Sequence, residues 1–444
     1  MKSDASLPRQ TSTKPCKGVT VRNVKELQSA IEAGKVGTTI ALTAGVFELP
    51  QTLSLKSGTT LCGQGAGKTI VRGVSTWQPS TDLLPRTENP KAYLFEIDRQ
   101  RNVTIRDMSL HGPNLHGAVY GNQSERMTLA GLEIKDFLWS GARTFSMTKT
   151  QVHDNHFIDA GGKYKNTTGG ALYDHYPKEC NVWNNRVRSS KNSQRPFYGF
   201  KGRGGRNCRF HHNDIRRDFA IEYPFDNNIG FEIDRNYIEG TISIPKAGGG
   251  PVLADNALSF HIHRNVITKS YAIEFARNNV RIDRNLFDLD PKDDRGNLIS
   301  DHGKRLSSGP LWMHDNLIRN VGRGIFWSKG AYNRIQFVNN HVRASKNTRN
   351  SPFFQLPSNT DFQTIQIERN IFECAPNSPR PLLSVDSKLL KNLQNNTFVN
   401  VLGMNRYART RSNAPSGPKQ PLQFTAGVNN EIQVNGWSVK GLKP

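Results

Sequence analysis

Short apolar stretches recur along most of this chain around a single polar residue. In ten places an asparagine has an apolar residue three positions before it and another two positions after it, and the steps between these asparagines run from 20 to 31 residues. The ten are Asn155, Asn185, Asn213, Asn236, Asn265, Asn285, Asn316, Asn340, Asn370 and Asn396. A repeat of this length, with one short strand and one polar turn per copy, is typical of a stacked solenoid.

The alternation before each asparagine predicts a strand with one buried face. The positions five and three before the asparagine are expected to face inward. The asparagine marks the bend that follows, because it tolerates unusual backbone angles and its amide can bond the backbone or the next amide in a stack. We therefore predict an all-β protein, a right-handed single-stranded parallel β-helix of about a dozen coils. A propeller is disfavoured because its blades need ~40–50 residues each.

Both ends of such a stack need covering, since a bare coil exposes sheet edges. The apolar face of Val24–Ala33, followed by Gly34, predicts an N-terminal capping helix. Strands are expected to follow at 38–42, 52–55 and 59–62, and residues 421–437 to cover the other end. The predicted organisation is an N-terminal extension at residues 1–20, a catalytic β-helix domain at 21–400, and a C-terminal loop and cap at 401–444.

The chain carries 60 Lys and Arg against 37 Asp and Glu, a formal net charge of +23. Such an excess favours a polyanionic partner. No segment resembles a nucleic-acid-binding module and no apolar stretch has transmembrane length, so neither nucleic acid nor a membrane is expected as a partner. The start of the chain has no charged-then-apolar signal run, which leaves a cytoplasmic protein or a chain without its leader as alternatives. Nothing in the sequence demands an oligomer, and a monomer is expected.

Three weaker signals receive structural interpretations. The five cysteines are an odd number, and Cys180 and Cys208 share an inward column, so stacked thiols are preferred there over a disulfide. Residues 63–69 form a Gly-rich turn and not a phosphate loop, because Cys62 stands where that motif needs glycine. The histidines two positions before a repeat asparagine are read as an exposed polar column, and no metal site is predicted. They are His153, His211, His263 and His314.

A second strand register precedes the asparagine-bearing strand in most coils, as at residues 141–144, 170–175 and 199–203. Its second residue is expected to face inward, and its third and fifth positions outward. This places six charged residues in neighbouring outward columns on one wall, with three more at the turn beyond. The six are Arg143, Asp174, Lys201, Arg203, Glu222 and Glu274, and the three are His175, Arg206 and Arg277. Basic loops at 161–169, 189–196, 244–257 and 288–308 are expected to rim this wall.

With its predicted capping helix, opening strands up to Cys62 and asparagine repeat, the chain resembles the right-handed parallel β-helix superfamily of pectate-lyase-like carbohydrate-active enzymes. The resemblance covers roughly residues 20 to 400 and lies at the level of the fold. It implies a secreted or periplasmic protein acting on a glycan. The Asp-Pro-His-Asp motif of alginate epimerases is absent from this chain. Lys201 is followed one coil later by Glu222, so the Lys–Arg pattern of calcium-dependent lyases is not reproduced either.

The favoured hypothesis is a lyase that cleaves an acidic, uronate-containing polysaccharide by β-elimination. This reaction needs a cation for the carboxylate, a base for the proton on the adjacent carbon and an acid for the leaving oxygen. Lys201 or His175 is expected to be the base and Tyr173 the acid. Substrate binding is assigned to Arg143, Asp174, Arg203, Arg206, Arg277 and Trp327. Glu222 and Asp174 would orient the bases or hold Ca²⁺. The reaction itself requires no cofactor, and these carboxylates make Ca²⁺ a possible one.

Two other classes of function remain open. In an inverting glycoside hydrolase on a charged or sulfated glycan, Glu222 and Glu274 would be the acid and base, about 9–10 Å apart across two coil spacings. In a non-catalytic glycan-binding solenoid, the basic wall would bind the polymer and no product would form.

Overall fold

The computed structural model describes most of the chain from Cys16 to Lys440. The described residues are 16–78, 90–164, 167–190, 196–222, 230–246, 258, 260–269, 273–276, 280–290, 297–301, 311–328, 335–345, 353–355, 365–374, 380–381, 393–399, 401–402, 431–434 and 437–440. Tertiary contacts divide the chain into two units, Met1–Glu222 and Tyr223–Pro444. Part of the predicted C-terminal loop and cap lies outside the described residues.

The first unit contains three parallel sheets, here called 1A, 1B and 1C. Sheet 1A consists of Val19–Val21, Thr39–Leu42, Thr60–Cys62, Thr104–Arg106, Thr128–Ala130, Gln151–His153, Asn181–Trp183 and Arg209–His211. Sheet 1B consists of Gly45–Leu49, Thr69–Gly73, Ser109–His111, Glu133–Lys135, His156–Ile158, Arg186–Arg188 and Asp214–Ile215. Sheet 1C consists of Leu53–Ser54, Tyr93–Asp98, Gly117–Asn122, Ser140–Phe145, Gly170–His175, Tyr198–Arg203 and Phe219–Glu222.

The second unit repeats this arrangement in sheets 2A, 2B and 2C. Sheet 2A consists of Phe231–Asp234, Phe260–His263, Val280–Asp283, Leu311–His314, Ile335–Val338, Ile365–Glu368 and Leu393–Gln394. Sheet 2B consists of Tyr237–Ile238, Val266–Ile267, Leu286–Asp288, Leu317–Val321, His341–Ala344, Ile371–Glu373, Thr397–Val399, Glu431–Val434 and Trp437–Lys440, the last two antiparallel. Sheet 2C consists of Ile242–Lys246, Ile273–Ala276, Asn297–Asp301, Gly324–Ser328 and Phe354–Gln355.

Five further short elements accompany the main sheets. A 3₁₀ turn at Pro90–Ala92 leads into sheet 1C, and Lys163–Tyr164 pairs with Thr167–Thr168 in an antiparallel hairpin. Arg380–Pro381 pairs in parallel with Val401–Leu402. Each unit is therefore a parallel β-helix, as the repeat predicts, while its handedness and the number of coils stay predictions. Among the described residues, no helix combines the length and apolarity needed to span a lipid bilayer.

The repeat asparagines form buried hydrogen-bonded ladders inside each unit. The Asn285 side chain donates to Asn316 Oδ1 at 3.0 Å and to the backbone oxygen of Ile262 at 2.9 Å, and its own oxygen accepts from Asn265 at 3.0 Å. The same pattern joins Asn155 to Asn185 and Asn213, and Asn236 through Asn265, Asn285, Asn316, Asn340 and Asn370 to Asn396. Each buried turn satisfies its polar groups through the rung above and the rung below.

The backbone bend lies one residue before each ladder asparagine, and not at the asparagine itself. All ten preceding residues adopt the left-handed conformation, with φ between 52° and 57°. They are Asp154, Asn184, His212, Arg235, Arg264, Arg284, Asp315, Asn339, Arg369 and Asn395. The prediction that the asparagine itself marks the bend and takes its unusual backbone angles is therefore wrong. The asparagine side chain instead hydrogen-bonds the backbone and the next asparagine at the turn. These bonds stabilise the turn enough for even an arginine to adopt the positive φ at the preceding position.

The N-terminal helix is present with the bounds Val24–Ala33. Asn23 accepts a hydrogen bond from the Glu26 amide at 2.9 Å, and the Glu26 carboxylate accepts one from the Arg22 amide at 2.7 Å, which satisfies two of the unpaired donors at the helix start. Leu27 and Ile31 are buried where the helix packs on sheets 1A and 1B. The predicted opening strands are also found, as Thr39–Leu42, Leu53–Ser54 and Thr60–Cys62.

The cysteines depart from the prediction. Cys180 and Cys208 occupy one inward column on adjacent strands, as expected, but they form a disulfide and not a pair of stacked thiols. A second disulfide joins Cys16 to Cys62, and Cys374 is a buried thiol outside both disulfides. Parity misled the prediction, because two bridges and one buried thiol also add up to five. Adjacent rungs of a parallel sheet bring equivalent residues within the Cα separation that a disulfide needs, and for this pair the separation is 4.5 Å.

Replacing a ladder asparagine is expected to destabilise its unit strongly. In Asn340→Ala the variant loses donors to Met313 and Asn370 and the acceptor for Asn316, and buried groups on both neighbouring rungs are left unsatisfied. We expect a loss on the order of 3–5 kcal/mol. Urea unfolding followed by circular dichroism measures this loss, with Gln336→Ala on the outer face of sheet 2A as the control. Equal unfolding midpoints for the two variants would contradict the structural role of the ladder.

Candidate functional site

The outer face of sheet 1C carries a compact group of basic and aromatic side chains. Inner positions are apolar, because Phe95, Val119, Ala142, Leu172, Phe200 and Phe219 form one buried column. The next position along each strand faces outward. There Arg143, Tyr173 and Lys201 lie in register on three successive strands, and Phe145, His175 and Arg203 form a second outward column two residues further on.

Arg143 lies at the centre of this group. Its guanidinium carbon lies 3.7 Å from the ring centre of Tyr173 and 4.2 Å from that of Phe145, which are cation–π distances. The guanidinium also donates to the Tyr173 backbone oxygen and approaches the His175 ring nitrogens, at 3.3 Å in each case. Arg143 is only 1% exposed, so these contacts replace its hydration.

Lys201 approaches the same aromatic group from the following strand. Its ammonium nitrogen lies 4.7 Å from the centre of the Tyr173 ring and 5.2 Å from that of Tyr198, and it donates to the backbone oxygen of Thr168 in the hairpin. Lys201 is 2% exposed and Tyr173 is 3% exposed. The group is therefore outside the coil interior but covered, and we call Arg143, Tyr173, His175 and Lys201 the basic–aromatic cluster.

His175 is held in its neutral form within this cluster. Burial lowers the pKa of the imidazole well below its ordinary value, and the positive charges of Arg143, Arg203 and Lys201 lower it further. Its ring makes edge contacts with Phe145 and Tyr173, with ring centres 4.9 Å apart in both pairs. A neutral imidazole has an unprotonated ring nitrogen, but the three neighbouring cations weaken it as a base until an anion offsets their charge, and the same cations favour an anion beside it.

The structure corrects the predicted direction of Asp174. The prediction placed Ala171 on the inner face, whereas Leu172 pairs with Ala142 and Phe200 in the inner column. A one-residue shift turns every side chain to the opposite face, so Asp174 lies in the coil interior, in register with Thr144 and Gly202. It therefore does not lie on the outer wall, where the prediction placed the substrate. The two small neighbours in its column leave room for a carboxyl group inside the core.

The buried carboxyl of Asp174 is poorly compensated. Its Oδ1 has no hydrogen-bond partner among the described residues. Burial raises the pKa of Asp174 to about 7, and the Thr144 hydroxyl and the charge of Arg143 offset this only in part. Asp174 is therefore protonated in the folded protein over a pH range in which an exposed aspartate is ionised.

The predicted carboxylates of the wall are arranged differently from expectation. In the backbone register of sheet 1C, Glu222 lies opposite Arg203 and not opposite Lys201. The reason is that Phe219, and not Ile221, continues the inner column of Phe200. Glu274 lies in the second unit, in register with Ser243 and Ser300 in sheet 2C. Both glutamate side chains lie outside the described part of the structure. The hypothesis that Glu222 and Glu274 act together as acid and base stays a prediction.

The remaining predicted binding residues are dispersed. Arg206 is exposed on the turn after sheet 1C, where its backbone bonds those of Pro177 and Glu179. Trp327 is half-buried on sheet 2C, in register with Ser300, so it shares a column with Glu274 two strands away. Arg277 lies outside the described residues. The structure thus brings together Arg143, Tyr173, His175 and Lys201, with Arg203 beside them, and leaves the assigned roles of all eleven residues as predictions.

Sequence reasoning missed a second polar cluster, on the outer face of sheet 2A. Glu232 and His261 are in register four positions before their ladder asparagines, and Asp234, His263 and Asp283 are in register two positions before theirs. The prediction considered only the second of these columns. Since both columns face outward, a histidine at each position of one strand could have indicated the site.

No protein-family model matches the chain, and comparison with curated proteins found no match. Solved structures do resemble it. The catalytic unit of a GH87 α-1,3-glucanase from Streptomyces thermodiastaticus has a TM-score of 0.54 and 13% sequence identity, covering 80% of this chain and 69% of that one.

Two other solved structures are similar at lower scores. The tailspike protein of E. coli bacteriophage HK620, in complex with a pentasaccharide, has a TM-score of 0.49 at 10% identity and covers 93% of this chain and 75% of that one. A mannuronan C-5 epimerase module from Azotobacter vinelandii has a TM-score of 0.40 at 14% identity, and the match covers 88% of this chain and 97% of that one. At 13% identity, the likeness to the glucanase catalytic unit shows the parallel β-helix fold and does not extend to activity.

Because Asp174 faces inward, its contribution to the stability of the fold is expected to depend on pH in the opposite sense to that of most aspartates. Its folded-state pKa is above its unfolded value of 3.8, so the folded chain holds more protons between pH 4 and 7 and loses stability as the pH rises through that range. Asp174→Asn is expected to exceed the wild type in stability by roughly 3–4 kcal/mol at pH 8, with the difference shrinking towards pH 4.

Urea unfolding of both proteins at pH 4, 6 and 8 measures this difference. Asp136→Asn, at a partly exposed turn position, is the control and is expected to show no such trend. A stability difference between Asp174→Asn and wild type that is independent of pH would contradict the raised pKa.

Proposed function

We propose that the protein is a polysaccharide lyase that cleaves an acidic, uronate-containing glycan by β-elimination at the basic–aromatic cluster. The observation that carries this proposal is the neutral His175 set among three cations and next to Tyr173. β-Elimination needs a neutral base, an acid and a positive environment for the carboxylate in one place. The net charge of +23 supports an acidic substrate, and the parallel β-helix fold, shared with a glucanase, supports a polysaccharide in general.

The cations of the cluster would stabilise the charge that develops in the reaction. Removing the proton beside a uronate carboxylate spreads negative charge onto the carboxylate oxygens, and a guanidinium binds such oxygens through two parallel hydrogen bonds. Arg143 and Arg203 are assigned this role. Lys201 would share it as a point charge, since the lowered pKa of His175 makes the imidazole the neutral base at physiological pH.

Tyr173 is assigned the role of acid for the leaving oxygen. Its ring lies between those of Trp139 and His175, with ring centres 6.2 and 4.9 Å away, so the phenol is held next to the base. The proton taken from carbon would pass to His175, the carbon–oxygen bond would break, and the leaving oxygen would take the phenol proton. In the structure the cluster is covered, so the proposal includes its exposure when the polymer binds.

The decisive variant is Tyr173→Phe, which removes one hydroxyl and leaves the ring packing intact. We expect kcat to fall about 10²–10⁴-fold, the usual contribution of a positioned acid. Tyr176→Phe is the matched control, because this tyrosine is exposed on the adjoining turn, with its ring centre 6.0 Å from that of His175. Its activity is expected to be unchanged.

The assay follows the ultraviolet absorbance of the unsaturated product over a panel of uronate polymers, with product masses measured in parallel. Products heavier by one water and without that absorbance would show a hydrolase instead. Binding with no product from any polymer would leave a glycan-binding solenoid. Equal loss of activity in Tyr173→Phe and Tyr176→Phe would contradict the assignment of Tyr173.

The depressed pKa of His175 predicts the pH profile. Because the imidazole of the free enzyme titrates well below its ordinary value of 6.5, kcat/KM is expected to stay level as the pH falls from 8 to about 5.5. A bound carboxylate offsets the surrounding charges and raises the pKa of His175, so kcat is expected to fall at a higher pH than kcat/KM does. Initial rates across this range at low and saturating polymer test both expectations. A kcat/KM that already halves near pH 6.5 would rule out His175 as the base.

A further inference from the structure

We propose that the cluster on sheet 2A binds a divalent transition-metal ion, with Zn²⁺ as the best-fitting class, through Glu232, His261 and His263. The proposal is independent of the lyase reaction and concerns the second unit alone. It starts from the strand Phe260–His263, where Phe260 and Ile262 are buried in the core. The alternate residues His261 and His263 therefore both project from the outer face.

The two histidines and one glutamate converge. The imidazole rings of His261 and His263 are stacked, with centres 4.0 Å apart. Glu232 is in register with His261 on the preceding strand, and its Oε1 lies 2.9 Å from Nε2 of His263. One candidate ligand atom from each of the three residues lies within 4.8 Å of the other two.

This donor set matches the chemistry of zinc. Two imidazole nitrogens and one carboxylate oxygen form a common three-ligand arrangement that leaves a further position open to water. Tetrahedral coordination with bonds of 2.0–2.1 Å places ligand atoms about 3.3 Å apart. The 2.9 Å contact between Glu232 and His263 would therefore open only slightly to admit an ion. Calcium and magnesium are disfavoured because they require mostly oxygen ligands.

The surrounding side chains orient the ligands as metal sites require. Asp283 is almost fully buried, and its Oδ1 lies 2.6 Å from Nε2 of His261. The same oxygen accepts a hydrogen bond from Nε of Arg281 at 3.0 Å. A carboxylate that accepts the second ring N–H of a metal-binding histidine fixes its tautomer. This leaves Nδ1 of His261 for the ion. Asp234 is in register with His263 and lies on the same preceding strand as Glu232. Its carboxylate forms an ion pair with Arg235 at 2.6 Å and so does not compete for the metal ion.

The test is metal binding by the full chain, purified without an affinity tag. After chelation and dialysis, the protein is titrated with Zn²⁺ by calorimetry, and with Co²⁺ by absorption spectroscopy. We expect one tight site per chain, a higher melting temperature with Zn²⁺, and a Co²⁺ spectrum of low coordination number. His263→Gln and Glu232→Gln are each expected to weaken binding at least 100-fold, and Asp283→Asn 10–100-fold.

His341→Gln is the matched control, because this histidine also faces a carboxylate, Glu373 at 3.1 Å, on an outer sheet face of the same unit. It is expected to bind Zn²⁺ as the wild type does. Circular dichroism verifies that each variant is folded, and Glu232→Gln, which changes no shape, covers the case in which a histidine variant unfolds. Wild-type binding that is absent, or is retained in both His263→Gln and Glu232→Gln, would overturn the proposal.

Discussion

The structure depends on how a buried turn satisfies its polar groups. A ladder asparagine with another on either side donates to one of them and accepts from the other, as Asn316 does between Asn285 and Asn340. Without these bonds every turn of a unit would bury amides and carbonyls that lack partners, at a cost of about 1–3 kcal/mol each. The ladder also fixes the register of the strands on either side. That register decides which residues, far apart in sequence, share an outward column.

Both candidate sites depend on strand register. In the first unit the register of sheet 1C aligns Arg143, Tyr173 and Lys201 on three successive strands, and in the second the register of sheet 2A, whose strands lead into the ladder, aligns Glu232 with His261. Neither group is contiguous in the chain. In each case buried apolar residues alternate with the site residues, as Leu172 and Phe200 do in the first unit and Phe260 and Ile262 in the second, so the outward side chains extend from a packed support. The two sites differ in chemistry, since the first is rich in cations and aromatic rings and the second combines imidazoles with carboxylates.

Much of the fold could be predicted from the sequence because its signal is local and repeated. An apolar residue three positions before each asparagine and another two after it predicted the strands around all ten ladder residues, and the amphipathic pattern predicted the helix Val24–Ala33. The site was harder to predict, because alignment between coils depends on where each strand of sheets 1C and 2C begins. That start has no fixed marker. Choosing Ala171 in place of Leu172 as the inner residue was enough to turn Asp174 to the wrong face.

The ladder can be tested most directly by hydrogen exchange at its own backbone amides. Within each unit the backbone amide of a ladder asparagine donates to the side-chain oxygen of the next ladder asparagine, as Asn285 does to Asn316 and Asn340 to Asn370. In protein labelled selectively at asparagine, these amides are expected to exchange orders of magnitude more slowly than exposed amides and to form the most protected set. Exchange of the amides of Asn285, Asn316 and Asn340 at the rate of exposed amides would contradict the ladder and, with it, the register of sheet 2A on which the metal site depends.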